Sequence, residues 1–450
     1  MPRALVGLMF FPRGGSSHVV RSLATALPAK GWDVTILSGH REGHGDAHRF
    51  FAGLDVRPVD FTRALAAPDP MRADPPMHPS YEDRPGAPDR IFASLDDELY
   101  EHQVAAWCEA LTAAGAADAD VLYLHHLTPM NEAAARVAPD VPVMSHLHGT
   151  ELLMLEEIDK GAPPEWTEAS AWAERLRRWA GRSRAIITQS ESQVQRAADA
   201  LGIDPERCTV VANGFDPERF DVREVDRRAL WQQHLVDDPQ GWAPGGEPGS
   251  VAYSAEQVER ITEEPVLLYV GRFTAVKRIG LLIRAFARAK EASGSRAALV
   301  LLGGHPGEWE GEHPLEAIES SGAHDVFMAG WHDHQALPDF LNASDVIVLP
   351  SVREQFGQVL VEGMACGLPA IAVNRHGPAE IVEDGRTGWL VEPDDEGGLA
   401  AALAEAIKDG PERRERGEAA REVARARYAW PSLAGRVSDA LERAVIETQQ

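Results

Sequence analysis

The sequence is poor in cysteine, in positive charge and in long apolar runs. Its three cysteines, Cys108, Cys208 and Cys366, form an odd, scattered set with no metal-type spacing. A reducing, cytoplasmic compartment is the simple expectation. Lys and Arg number 44 against 70 Asp and Glu, a formal charge of -26. Nucleic acid and anionic membrane surfaces both need a basic footprint, so neither is expected as a main partner. Any anionic ligand must then be held by local cations. No window approaches the roughly 18 apolar residues of a membrane span. Residues 1–11 run into Pro12-Arg13-Gly14-Gly15 instead of a signal-cleavage site and read as a first strand. A soluble protein is expected.

What the chain does contain is alternation. At 450 residues it has room for two or three domains on a prior of about 150 each. Residues 4–11 are strand-like, Gly14-Gly15-Ser16-Ser17 breaks them, residues 18–27 have helical periodicity and residues 34–37 form the next strand. This is a βαβ unit with a glycine turn at the carboxyl end of its first strand. Gly14-Gly15 does not fit G-x-G-x-x-G. Small residues there let a phosphate or sugar approach backbone amides, and an ordinary tight turn is the plain alternative. Residues 265–270, the loop Gly271-Arg272-Phe273-Thr274-Ala275-Val276-Lys277-Arg278 and a helix over 281–289 repeat the strand, loop, helix order. Two similar α/β halves are expected.

Several stretches stand apart. Residues 64–90 contain Pro68, Pro70, Pro75, Pro76, Pro79, Pro85 and Pro88, which exclude helix and central strand. A loop this long is functional or disordered. With Met77 to Tyr81 and Ile91-Phe92 as possible anchors, it reads as a lid or as a passive, mobile insertion. Residues 237–250, rich in Gly and Pro, are a second insertion. His40, His44 and His48 have helical spacing, but Gly39, Gly43 and Gly45 oppose a helix, so surface loop histidines are expected. His146-Leu147-His148 is an H-x-H pair without an evident third ligand, and no metal site is expected. Arg175, Arg177, Arg178, Arg182 and Arg184 read as the solvated face of a helix.

The chemistry concentrates past residue 346. Residues 346–349 look like a buried parallel strand, and Glu354, Gln358 and Glu362 are then spaced i, i+4, i+8, on one face if a helical turn reaches back to Glu354. A polar helix face is commonly a solvated one. The small neighbours Gly363, Ala365 and Gly367 argue instead for close packing, and open α/β sheets bind ligands just past the carboxyl ends of their strands. Carboxylates there can accept hydrogen bonds from sugar and ribose hydroxyls, while free amides at the helix N-terminus favour a phosphate. The arrangement suits a nucleotide-sugar.

Glu354, Phe356, Gly357 and Glu362, as E-x-F-G-x-x-x-x-E with Cys366-Gly367-x-Pro369 behind them, resemble the paired-glutamate signature of the family 4 retaining glycosyltransferases. Gly271-Arg272 and Lys277 resemble the family's Gly-Arg-x-x-x-x-Lys, and His148-Gly149-Thr150-Glu151 its His-Gly-Thr-Asp, with Glu151 in place of Asp. Asn213-Gly214-Phe215-Asp216 is similar to the turn that closes the family's first domain. Gly303-Gly304-His305-Pro306 leans towards the sucrose-synthase and mycothiol-glycosyltransferase branch, and Gly330-Trp331 is placed at the base pocket.

The resemblance implies a GT-B fold, two Rossmann-like α/β domains facing each other across a cleft that holds the active site, with a C-terminal helix crossing back to the first. The expected division is an acceptor-side domain 1–215 with insertion 64–90 as an acceptor-side lid, a linker or insertion 216–262, a nucleotide-sugar domain 263–428 and a returning helix 429–450. The resemblance also implies roles. Arg272 and Lys277 meet the leaving diphosphate, an Arg fork and a Lys point charge suiting that task. Glu354 orients the sugar, Glu362 the ribose and His148 the sugar's far side. Gly15, Phe356, Gly357 and Gln358 complete the donor set. Gly14, Gly15, Ser16 and Glu151 face the acceptor. The expected activity is retaining, metal-independent transfer of a hexose-type sugar from a UDP- or GDP-sugar, with no cofactor, to a small soluble acceptor: a cyclitol, aminocyclitol, thiol or sugar-like metabolite. A nucleotide-sugar epimerase and a non-catalytic sugar-nucleotide-binding subunit are the competing readings.

Overall fold

A computed structural model describes residues 1–12, 15–43, 45–81, 89–306, 309–354 and 356–449. The chain divides into two compact units, Met1–Asn213 with Trp430–Gln450, and Gly214–Ala429.

Unit 1 is built on a parallel sheet of seven strands: β1 Arg3–Leu8, β2 Asp33–His40, β3 Asp55–Asp60, β4 Val121–His125, β5 Val143–His146, β6 Ala185–Thr188 and β7 Cys208–Val210. Their order is β3-β2-β1-β4-β5-β6-β7. Helices cover both faces of such a sheet, so its central strands are apolar on both sides instead of alternating. In β1 and β4 every residue but Arg3 is buried. Unit 2 has six parallel strands, β8 Val266–Val270, β9 Ala298–Leu302, β10 Val326–Gly330, β11 Val346–Leu349, β12 Ala370–Val373 and β13 Gly388–Val391, in the order β10-β9-β8-β11-β12-β13. Counted from its own first strand, unit 2 repeats the Rossmann order of the first six strands of unit 1. The order reverses between β1 and β4 and again between β8 and β11.

The last helix, Trp430–Gln449, belongs to unit 1. Its apolar positions Leu433, Ala434, Val437, Ala440 and Leu441 recur at helical spacing and join the core of Ala4, Val6, Val20, Leu27 and Trp32. The Trp32 indole N–H donates to Ser438 Oγ at 2.9 Å, which satisfies a buried polar group that burial would otherwise penalise.

The insertions are built into the units. Of the Pro-rich segment, residues 82–88 lie outside the described residues. In the rest, Met71, Met77, His78, Ser80 and Tyr81 are buried. Tyr81 OH donates to the Leu127 carbonyl, and Gln103 Nε2 donates to the Met77 carbonyl at 2.6 Å. A passive, mobile insertion does not fit these contacts. Residues 216–262, expected as a linker and insertion, fall within unit 2 and bury Trp231, Leu235 and Trp242. Gln240 pairs with Gly330 at the end of β10.

The arginine cluster lies on the helix Ala169–Arg182 and just past it. Arg175 pairs with Asp97, Arg177 with Asp159, and Arg178 and Arg182 share Glu132. His40 closes β2 and accepts from the Ala47 amide at 3.1 Å, His48 lies on the short helix Ala47–Phe50, and His44 is outside the described residues. No described helix is long and apolar enough to cross a membrane.

Excision of residues 64–90 should therefore unfold unit 1, since it removes several fully buried side chains, each worth about 2–5 kcal/mol when truncated. A deletion variant that keeps the wild-type thermal midpoint by circular dichroism would show the segment to be dispensable.

Candidate active site

In unit 2, parallel pairing of β8 with β11 brings the two following loops side by side. The Val352 amide donates to the Val276 carbonyl at 3.0 Å, which ties the loops together. Lys277, on the β8 loop, makes an ion pair with Glu354, on the β11 loop, and both are largely buried. Arg272 is exposed beside them, and its guanidinium makes no ion pair among the described residues. The loop is held from below by Tyr269, whose buried hydroxyl donates to the Arg272 carbonyl at 2.8 Å. Burial, then the Glu354 charge, push that phenol well above its ordinary value. It is a fixed hydrogen-bond donor.

A shared face for Glu354, Gln358 and Glu362 required the helix to reach back to Glu354. It spans Gln358–Ala365, and Glu354 precedes it. Gly357, with φ 107°, takes a left-handed conformation that stops the helix there. Only Gln358 and Glu362 share the helical face: Gln358 Nε2 donates to Glu362 Oε1 at 3.2 Å and to the Gly214 carbonyl at 2.9 Å. Glu362 is almost fully buried. Its Oε1 also faces His334 Nε2 at 2.9 Å, from the loop after β10. Phe356 is buried against Tyr428, ring centroids 5.9 Å apart, which packs the turn against the helix that ends at Tyr428. Gln355 lies outside the described residues.

The loops after β8, β9 and β10 meet backbone to backbone. A Cβ on Gly303 would lie 2.3 Å from the Gly271 carbonyl oxygen, so only glycine fits. Trp331, just past β10, is 58% exposed in a protein that buries most of its large aromatics. Trp242 from the second insertion backs this corner, fully buried against Phe273, Trp309 and His313.

In unit 1, Gly15 opens the helix Gly15–Ala26 past β1, with Ser16 half-buried beside it, and a Cβ on Gly15 would meet nothing within 4 Å. Gly14 lies outside the described residues. Past β5, His148 precedes the helix Thr150–Gly161. Glu151 is fully buried: Oε1 meets His126 Nδ1 at 2.7 Å, and Oε2 accepts from the His148 amide at 3.3 Å. It holds the His148 turn in place through these two bonds. His148 Nε2 lies 2.9 Å from His125 Nδ1, and Tyr123 OH lies 2.7 Å from His146 Nδ1. Burial, reinforced by the neighbouring imidazoles, lowers all three histidines; His146 is pushed down to about 3. They are neutral near pH 7.

Sequence reasoning found no third ligand for the H-x-H pair. Pairing of β4 with β5 supplies one, His125 opposite His146. Among the described residues, His125, His146 and His148 are the group whose ligand atoms, all within 4.8 Å, could hold a metal ion. His125, Tyr269 and His334 were missed because their partners are distant in sequence, and only strand order reveals them.

Residues 13–219 match the family described as Glycosyltransferase Family 4, and residues 254–423 that described as Glycosyl transferases group 1. The chain belongs to the family 4 glycosyltransferases. It is 30% identical over 312 residues to D-inositol 3-phosphate glycosyltransferase 2 of Catenulispora acidiphila, covering 68% of this chain and 66% of that protein. It is 25% identical to D-inositol 3-phosphate glycosyltransferase of Stackebrandtia nassauensis over 87% of this chain and 84% of that one. HepE of Anabaena, solved with UDP and glucose, superposes with a TM-score of 0.63 at 17% identity, covering 98% of this chain and 100% of that one. The fold of this glycosyltransferase is GT-B.

Replacing Gly357 by Ala in this glycosyltransferase forces a Cβ into the left-handed region beside Leu360. It should cost about 1–3 kcal/mol of stability and weaken nucleotide binding by displacing the helix start. Calorimetric titration of UDP together with a urea melt checks this; unchanged values in both would show that the turn tolerates a side chain.

Proposed function

We propose that this glycosyltransferase moves a hexose-type sugar from a nucleoside-diphosphate sugar to a small soluble acceptor, with retention of configuration and without a divalent metal. The observation that carries the reading is the Lys277–Glu354 pair with Arg272 exposed beside it, at the point where the strand order of unit 2 reverses. Open α/β sheets bind ligands at such a point. A departing nucleoside diphosphate gains negative charge as the glycosidic bond breaks, and the Arg272 fork and Lys277 point charge meet it there. As the C1–O bond to phosphate breaks, the acceptor oxygen bonds to C1 on the same face and its proton passes to the leaving phosphate oxygen. Glu354 then exchanges Lys277 for the sugar hydroxyls. Glu362 holds the ribose, Gln358 and Gly357 position it, and His148 takes the far side of the sugar. Gly15 and Ser16 offer small, accessible groups to the acceptor.

UDP is favoured over GDP by the Anabaena structure with UDP and glucose, and a cyclitol-type acceptor by the two relatives named as inositol phosphate glycosyltransferases. An aminocyclitol, a thiol or a sugar-like metabolite uses the same chemistry. The acidic balance of the chain and the paired arginines support a small polar acceptor over a membrane lipid. Release of nucleoside diphosphate only when acceptor is present distinguishes a transferase from an epimerase or a non-catalytic binding subunit.

Two measurements test the assignment. Glu362→Ala should weaken UDP binding by about 1.5–3 kcal/mol, the worth of hydrogen bonds to a charged group; unchanged affinity by titration would remove Glu362 from the ribose. Arg272→Ala and Lys277→Ala should each slow transfer roughly 10²–10³-fold, by analogy with loss of one oxyanion donor. Lys277→Arg should recover only part of the rate, because fork and point charge differ in geometry. Excess EDTA should not lower the wild-type rate. Loss of activity in EDTA restored by magnesium or manganese, with both alanine variants near normal, would overturn this mechanism.

A further inference from the structure

We propose that His125, His146 and His148 form a three-histidine site for a divalent transition metal, zinc by its ligand set, inside unit 1. The sugar transfer derived above has no use for such a site. One ring nitrogen from each histidine lies within 4.8 Å of the other two. Three imidazoles on one tetrahedral zinc, at Zn–N of about 2.0–2.1 Å, place their ring centroids about 5 Å apart. The observed separations are 4.8 Å for His125–His146, 5.2 Å for His125–His148 and 4.6 Å for His146–His148, with the ring planes 27°, 26° and 8° from parallel, so a metal held by all three requires the rings to turn towards it.

The hydrogen bonding points the same way. Nε2 of His125 and Nε2 of His146 are buried without a hydrogen-bond partner, in side chains that are 1% exposed. A polar atom left so is costly unless something fills it. His146 has an outer partner on its other nitrogen, the Tyr123 hydroxyl at 2.7 Å, the arrangement that fixes a metal-bound imidazole. The His126 ring lies 4.4 Å from His148 and pairs with the buried Glu151 carboxylate, which supplies negative charge next to the site. Coordination replaces the His125–His148 hydrogen bond. Neutral nitrogen ligands of borderline softness select zinc, cobalt, nickel or copper over magnesium. Three protein ligands leave a fourth position open.

His148 is also the residue assigned to the donor sugar, so a metal there competes with that role and zinc should inhibit transfer. This consequence rests on the proposed function; metal binding itself does not.

The test uses the full chain, stripped with chelator and titrated with zinc chloride in a calorimeter, with cobalt chloride as an optical probe. One equivalent should bind, cobalt should give the intense visible bands of a four-coordinate site, and His125→Gln and His146→Gln should each weaken zinc binding at least tenfold. The cobalt spectrum on the wild type stands even if a variant fails to fold. Absence of saturable binding, a weak six-coordinate cobalt spectrum, or unchanged affinity in two folded variants would each overturn the site. Tight one-to-one binding without inhibition of transfer would leave the site standing and refute the assignment of His148 to the sugar.

Discussion

Parallel pairing sends the loops of neighbouring strands to the same edge of a sheet, and the chemistry of this protein depends on that constraint. On either side of a reversal in strand order the following segments diverge to opposite faces and leave a crevice. β8 and β11 flank one such point, and the loops that follow them carry a cation and a carboxylate that find each other across 77 residues of sequence. The Lys277–Glu354 pair does two things in a chain of strongly negative formal charge. It holds a cation in place at the strand-order reversal, and it neutralises a largely buried carboxylate. Neither group is lost to bulk solvent, so both act at short range, where a low local dielectric makes them effective.

The fold was legible because its signals are local. Apolar runs of four to six residues ending in glycine loops gave the strands, and the repeated strand, loop, helix order gave the two halves. The motif spacing was equally readable, so the positions of Arg272, Lys277, Glu354 and Glu362 were visible before any geometry. What the sequence hid was non-local or conformational. The helix start depends on the backbone of Gly357, and no periodicity argument reports a left-handed φ. The partner of Glu362 is His334, from a loop one strand removed. Residues 64–81 read as loop from their prolines, yet Tyr81 packs against Phe92 and stacks on His126. Proline content excludes regular structure; it does not exclude packing.

Glu354 and Glu362 in unit 2 and Glu151 in unit 1 are satisfied in different ways. Glu354 has a formal cation, Glu362 has a histidine and an amide, and Glu151 has a histidine and one backbone amide. A buried carboxylate must be paired or hydrogen-bonded, and the quality of its partners decides whether it is available to a ligand. The partner of Glu362, His334, has a half-exposed side chain, whereas Lys277 beside Glu354 is largely buried. Glu151 is fully buried, closed in by His126 and its own helix.

The last twenty-residue helix is part of the core of the first unit. On the ribosome the sheet of that unit is made first, but the face covering Val6, Val20 and Trp32 emerges only after the second unit has been made. Throughout translation of the second unit, that apolar surface is uncovered and open to association with chaperones or with other nascent chains. Vectorial synthesis thus gives this protein an order of assembly: the second unit can close as soon as its own residues leave the tunnel, while the first waits for the helix that follows the second.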